Sequence, residues 1–434
     1  MAAPVGFTAS LALRASALLA LSGALAACGS GSPAGDGSAA RAAREAAETA
    51  PQPAAACPGT VMHTLVQIAK HVYHEGISSE RTRSAFKALA GSGALRAGIE
   101  RGDGAAVQAT ARALIATGRI TNLRVLRGSG GGEGAGEVLA DAGAGAVAPL
   151  RGTITGANGA AIARFITSVW SDEGILAETN GIAASTTVLR AGGHTIAGSL
   201  PLPSGELPAK GALRAGGVTY RYTSMLAQRY PSGSVRIYLF RPARAVRALC
   251  GRTARDTLVR TLESVARAIY AGEAGGRAQA QVRRVQRDPA LLRAVAARDP
   301  EATRLAIDNL LTEHIVRLRV SVGGRLLRDV GGPYVLAPVS GVLRAGDREI
   351  GTFVLSIQDD EGYLRLARRL GGMYVLMYMD RALVKNSLGP APGPVPETGP
   401  FFYRGRRFEV FTVHASAFPS GPLRIKVLVP IPYA

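Results

Sequence analysis

Ser356–Gly362 reads SIQDDEG, and Ser168–Gly174 reads SVWSDEG. The later stretch closes an apolar run, Ile350 to Ile357, and opens a helical pattern, Tyr363 to Leu370. The earlier one follows an apolar run ending at Val169. The two lie 188 residues apart, and that spacing recurs. Phe165 answers Phe353, Gly198-Ser199-Leu200 answers Asn386-Ser387-Leu388, and Pro231-Ser232-Gly233 answers Pro419-Ser420-Gly421. Arg236-Ile237 answers Arg424-Ile425. One offset held over roughly 70 residues marks a unit built twice.

Upstream, Cys57 answers Cys250 and Thr64-Leu65-Val66 answers Thr257-Leu258-Val259, both at an offset of 193. Apolar positions 61, 62, 65, 66, 69, 72 and 73 make one helical stripe. Leu258, Val259, Leu262, Val265, Ala266, Ile269 and Tyr270 repeat it. Short helices follow in each copy. Asp288-Pro289 and Asp299-Pro300 each place a capping Asp before a Pro suited to the first helical position, and Asp103 stands where Asp299 does. The period then changes to two. Val316, Leu318, Val320 and Val322 face one way, Gly323-Gly324 turns, and Arg325 to Val330 returns. In the first copy Ile120 to Leu126 goes out and Val138 to Asp141 comes back. The Gly-rich stretch between them, Arg127 to Glu137, leads into a strand and not a helix, so it reads as an enlarged hairpin turn and not a phosphate loop. The second copy ends in strands over Met373 to Met379, Phe402 to Ala415 and Leu423 to Val429. Its Pro-rich loop, Pro390 to Pro400, has a counterpart at Pro201 to Pro208, which favours a stiff loop over a polyproline ligand.

The predicted fold class is α+β. It has two tandem domains, 57–249 and 250–434, each a long N-terminal helix plus a five- to six-stranded antiparallel sheet with crossing helices. This pattern resembles the extracytoplasmic PAS-like sensor domains called Cache domains. The likeness rests on the long leading helix, the hairpin Leu318 to Val330 with Gly-Arg-Leu-Leu-Arg-Asp, and Ile350-Gly351-Thr352-Phe353-Val354-Leu355. It implies a small-molecule pocket on one sheet face, for ligands of the carboxylate or amino acid class.

Compartment is written at the N-terminus. Arg14 precedes an apolar segment, Ala15 to Ala27, too short for a comfortable membrane span. It ends in Leu25-Ala26-Ala27-Cys28-Gly29, which resembles the lipobox of bacterial lipoproteins. The resemblance implies that residues 1–27 are a signal peptide and that lipid attached to Cys28 holds the protein to the membrane. Residues 28–56, rich in Gly, Ala, Ser and Pro, read as a flexible tether with a short helical pattern over Ala39 to Thr49. Export leaves Cys57 and Cys250 as a disulfide pair or as two buried or free thiols. The chain has 434 residues, 47% hydrophobic, and a formal net charge of +20, nearly all from arginine. With 5% aromatics and an export signal, nucleic acid is not an expected partner.

Chemistry is harder to read. Asp359, Asp360 and Glu361, echoed by Asp172-Glu173, fit helix N-capping better than a cation site or acid–base pair. His63, His71 and His74 share a helix, but no second cluster completes a metal site. No serine-elbow, Walker, CxxC or HExxH motif stands in the chain, so neither enzymatic activity nor a cofactor is expected. For a ligand pocket the candidates are Tyr334, Tyr374, Tyr378, Asp380, Arg317 and Arg369, which offer hydrogen bonds in an apolar wall. The alternative for each is a half-buried strand residue or a solvated charge. The first copy, poorer in aromatics, reads as the more degenerate one. Two functions follow: a ligand-binding lipoprotein that presents its ligand or a conformational signal to a protein partner, or a structural and interaction lipoprotein whose pockets are filled.

Overall fold

The computed structural model describes residues 46–128, 136–311 and 314–432. The lipobox, Cys28, most of the tether and residues 129–135 of the Gly-rich stretch lie outside the described residues. The first repeat opens with the long helix Cys57–Ser78 (α1), then Glu80–Ala90 (α2), Gly93–Glu100 (α3) and Gly104–Ala116 (α4). Ser79, Ser92 and Asp103 cap the last three through side-chain oxygens. Strands Asn122–Arg127 (β1), Val138–Gly143 (β2), Leu150–Thr155 (β3) and Ala161–Ser168 (β4) form one sheet, ordered β2-β1-β4-β3. Asp172–Ala183 (α5) leads to a second sheet. It contains Thr186–Ala191 (β5), His194–Ala197 (β6), Lys210–Ala215 (β7), Val218–Gln228 (β8) and Ser234–Pro242 (β9), ordered β6-β5-β9-β8-β7. Ala243–Ala248 (α6) closes the repeat.

The second repeat has the same sequence of elements as far as its last strand. Its helices are Ala254–Glu273 (α7), Gly276–Arg287 (α8), Pro289–Ala296 (α9) and Pro300–Leu311 (α10). Asp288 and Asp299 cap the last two, as their sequence setting predicts. Arg317–Val322 (β10), Arg325–Gly331 (β11), Val339–Ala345 (β12) and Arg348–Ser356 (β13) make a sheet ordered β11-β10-β13-β12. After Asp360–Gly371 (α11) come Tyr374–Met379 (β14), Ala382–Asn386 (β15), Gly399–Tyr403 (β16), Arg406–Ala417 (β17) and Gly421–Ile431 (β18), ordered β15-β14-β18-β17-β16.

The fold is α+β, built from two tandem units of helix-led antiparallel sheets. It differs from the expectation in one respect: each repeat divides its strands between a four-stranded and a five-stranded sheet, where one sheet of five or six was expected. The physical cause is the SxxxDEG stretch. It stops β4 or β13 and starts a helix, so the strands beyond begin a new sheet. The strand expected over Phe402 to Ala415 is in fact two, because Arg404 and Gly405 adopt φ of 48° and 72° and turn the chain back.

Pairing repeats at the level of single residues. Leu189 faces Ile237 as Met377 faces Ile425, and Met225 faces Ile237 as Val413 faces Ile425. The inner faces of both five-stranded sheets pack on α1, α5, α7 and α11 in one core drawn from both repeats, including Leu65, Ile68, Ile237, Leu262, Tyr363 and Ile425. Each four-stranded sheet has its own smaller core, centred on Phe165 or Phe353. A disulfide joins Cys57 to Cys250, so the first turn of α1 is tied to the start of the second repeat. Gln52 of the tether's end bonds to Arg252 and Thr257, so the chain is already docked there, within the stretch expected to be a flexible tether. Residues Glu45–Ala434 form one compact unit.

Candidate functional site

The outer faces of the two five-stranded sheets are where the repeats part company. Period-two alternation sends Leu189, Ile237 and Leu239 into the shared core and Val188, Arg190, Tyr238 and Phe240 outward. In the second repeat Val375, Met377 and Ile425 go inward, while Leu376, Tyr378 and Leu428 go outward. By register Arg190 corresponds to Tyr378, Arg236 to Arg424, and Tyr238 to Lys426.

A proline-rich loop lies over each outer face. In the first repeat Leu200, Leu202 and Leu207 pack on Tyr222, Tyr238 and Phe240. The Tyr238 hydroxyl donates to the Leu207 carbonyl at 2.7 Å. In the second, Val395 packs on the sheet, and the Tyr403 hydroxyl donates to Pro390 at 2.6 Å. The loops are anchored at the same point: the Ser224 hydroxyl donates to the Ala209 carbonyl at 2.9 Å, and the Thr412 hydroxyl donates to the Glu397 carbonyl at 2.8 Å. Ala209 and Glu397 are therefore equivalent positions, again 188 apart.

In the second repeat that position carries a carboxylate. Glu397 sits 3.0 Å from Lys426 Nζ and 3.1 Å from Arg424. Lys426 is only 7% exposed, donates to the Val395 carbonyl, and lies 5.3 Å from the Tyr378 ring centroid. The Lys426 hydrogen bond holds the Glu397 carboxyl below its ordinary range, while burial pushes the Tyr378 phenol up. The chain thus places its own carboxylate on its own cations.

In the first repeat Ala209 offers nothing. A cavity of about 150 Å³ opens instead, lined by Arg190, Gly193, Glu206, Ser234, Arg236 and Tyr238. Arg190 is 4% exposed. One of its terminal nitrogens donates to the carbonyls of Gly193, Pro203 and Gly205. Its Nε and other terminal nitrogen are buried without a hydrogen-bond partner among the described residues. Leaving charged donors in that state is costly, and the guanidinium lends this cavity positive charge. Burial raises the Tyr238 phenol, which stays a neutral donor.

No protein-family model matches the sequence, and no curated protein matches it. Solved structures that it resembles include the periplasmic domain of Vibrio cholerae LuxQ, at 14% identity over 38% of this chain and 97% of that one, with a TM-score of 0.27. A second crystal structure of that domain gives 13% identity, 38% and 95% coverage, and a TM-score of 0.26. An extracellular ligand-binding receptor from Desulfohalobium retbaense is 10% identical over 52% of this chain and 47% of that one, with a TM-score of 0.26.

Of the six residues put forward from sequence, the structure brings three to this outer face. Tyr378 borders the Lys426–Glu397 pair. Tyr374 packs edge-on against Phe408 with Arg368 4.0 Å over its ring. Asp380 turns the β14–β15 hairpin at φ 52°, and its carbonyl accepts from Arg424. The other three lie elsewhere. Arg317 pairs with Asp329 at 2.8 Å and covers the Phe418 ring. Tyr334 is half-exposed on the loop before β12. Arg369 pairs with Glu75 of α1, tying the repeats together, and His71 of α1 bonds the Leu370 carbonyl in the same seam. No cluster of metal-ligating side chains occurs among the described residues.

The sequence reading missed Arg190, Arg236, Glu206, Lys426 and Glu397. A signal existed. Arg424 and Lys426 alternate with apolar residues in β18, and the 188-residue offset leads from them to Arg236 and Tyr238.

Proposed function

We propose that this chain is an extracytoplasmic binding protein, not an enzyme, and that its first repeat takes up a small carboxylate while its second is permanently occupied by Glu397. The observation that carries the reading is the pair of equivalent positions: Ala209, tied through the Ser224 hydroxyl to Arg236 of the open cationic cavity, and Glu397 on Arg424 and Lys426. Glu206 lines the same cavity and would face an ammonium group, so a small α-amino acid fits the lining better than a simple acid. The lipobox pattern and the Cys57–Cys250 disulfide support an exported, membrane-anchored protein. No helix among the described residues is long and apolar enough to cross a membrane. We assign the receipt of any signal to a protein partner in the envelope. On this reading the second repeat, and not the first, is the one whose site is filled.

The test is calorimetric titration with glycine, alanine and small carboxylates. Saturable binding at one site per chain is expected. Ala209→Glu should abolish it by supplying the carboxylate internally, and Glu397→Ala should open a second site. Undiminished binding by the Ala209→Glu protein would overturn the assignment. The self-paired cations of the second repeat also favour a second reading, an interaction platform. Absence of binding to wild type together with absence of binding to Glu397→Ala would select it.

A further inference from the structure

Glu273 ends α7 at 3% exposure, and its Oε2 is buried with no hydrogen-bond partner among the described residues. A buried carboxylate in that state is costly, and burial holds its pKa above the ordinary value. The side chain borders a groove of about 350 Å³ at the seam between the repeats. The groove exists because small residues face each other across it, Gly174, Ala177 and Gly181 on α5 against Ala268 and Gly272 on α7. Ile182, Ile269, Leu366 and Leu370 supply its apolar wall. Its charged lining is Glu178, Glu273 and Arg277.

The local charge runs against the rest of the molecule. The chain carries +20, yet two carboxylates meet one arginine here. The end of α7 adds the partial negative charge of its last carbonyls. Arg277 attracts Glu273, Glu178 repels it, and neither makes an ion pair with it among the described residues. A cation with a hydrocarbon body matches both halves of this lining.

We propose that the seam groove binds an organic cation, a primary ammonium carrying a short aliphatic chain, with Glu273 as its counter-ion and Glu178 as a second acceptor. The site is separate from the cavity at Arg190 and has the opposite charge preference. Because α5 comes from the first repeat and α7 and α11 from the second, its occupant would touch both.

The experiment is calorimetric titration of the intact protein with n-hexylammonium and with 1-hexanol as the uncharged match. Saturable binding of the ammonium is expected, at least tenfold tighter than the alcohol. Glu273→Gln should lose that tenfold margin and leave alcohol binding unchanged. Gly272→Leu is the second variant. Gly272 lines the groove, and an added Cβ there meets nothing within 4 Å, so a side chain can start into the groove from this position. The substitution should abolish binding of both probes. Equal binding of alcohol and ammonium by wild type, or full ammonium affinity in either variant, would overturn the proposal. If Glu273→Gln does not fold, Gly272→Leu decides alone. Ala209→Glu should leave hexylammonium binding intact, so failure of the carboxylate site and failure of this one are distinguishable.

Discussion

At the scale of the residue, the SxxxDEG stretch holds two different acids. Asp359 caps α11 by accepting from the Gly362 amide, and Ser171 does the same for α5 from Gly174. That much was legible, because capping depends on local spacing alone. The next residue was not. Asp172 is buried and pairs with Arg229 at 2.9 Å. Asp360 is buried at 3% exposure, but the position answering Arg229 is Ala417. The equivalence is structural, since Arg229 bridges to Val147 as Ala417 bridges to Leu336. Burial without that partner pushes the Asp360 carboxyl from 3.8 to about 7, with Lys385 offsetting part of the cost. The folded value lies above the unfolded one, so between about pH 4 and 7 the fold holds a proton that the unfolded chain has released. Stability should therefore fall as pH rises through that window and level off above it. The full shift, at about 1.4 kcal/mol per unit, sets an upper limit of about 4 kcal/mol. Urea denaturation of wild type and Asp360→Asn from pH 4 to 8 checks this. The variant should gain steadily on wild type with rising pH, and a constant difference would refute the burial argument.

At the scale of the element, strand periodicity carried more than strand pairing. The alternation in β10 and the Gly323-Gly324 turn were readable, and β10 and β11 pair as expected. The division into two sheets per repeat was not readable, because it depends on which strands meet after α5 and α11 reverse the chain. The outer-face site was hidden for a related reason: its deciding residue, Ala209 or Glu397, reaches the sheet from a loop with no periodic pattern. One cross-strand device does recur in both repeats. Gly152 faces Phe165, and Gly341 faces Phe353, with the ring lying over the glycine. A Cβ on Gly341 would stand 2.3 Å from the Phe353 ring. Gly341→Ala should therefore cost about 1–3 kcal/mol by overpacking. Phe353→Leu alone should also destabilise. The double variant should be more stable than the sum of the two losses implies, because the shortened side chain vacates the space. Chemical denaturation of all four proteins closes this cycle, and strict additivity would show that the ring can move aside freely.

At the scale of the whole molecule, two sequence repeats fold around one core. Val61, Leu65 and Ile68 of α1 bury together with Leu262, Val265 and Ile269 of α7, and the Tyr363 hydroxyl from α11 donates to the Ala266 carbonyl. The repeat boundary at Cys250 is a boundary of sequence, and the contacts cross it. The disulfide spans a separation of 193 residues, which in the chain-entropy limit stabilises by about 5 kcal/mol. Two consequences separate the effect of the bond from that of the core. With both cysteines changed to serine, the intact chain should still melt cooperatively, at a lower temperature, because every apolar contact of the core remains. Residues 250–432 alone should not. Without α1 and α5 they leave the apolar faces of α7, α11 and the second five-stranded sheet without a covering layer, so the fragment should bind a hydrophobic dye and lack a cooperative transition. Circular dichroism melts with dye binding on the same samples settle the matter. A sharp, dye-free transition in the isolated fragment would mean that the second repeat is an independent domain and that the shared core contributes little to it.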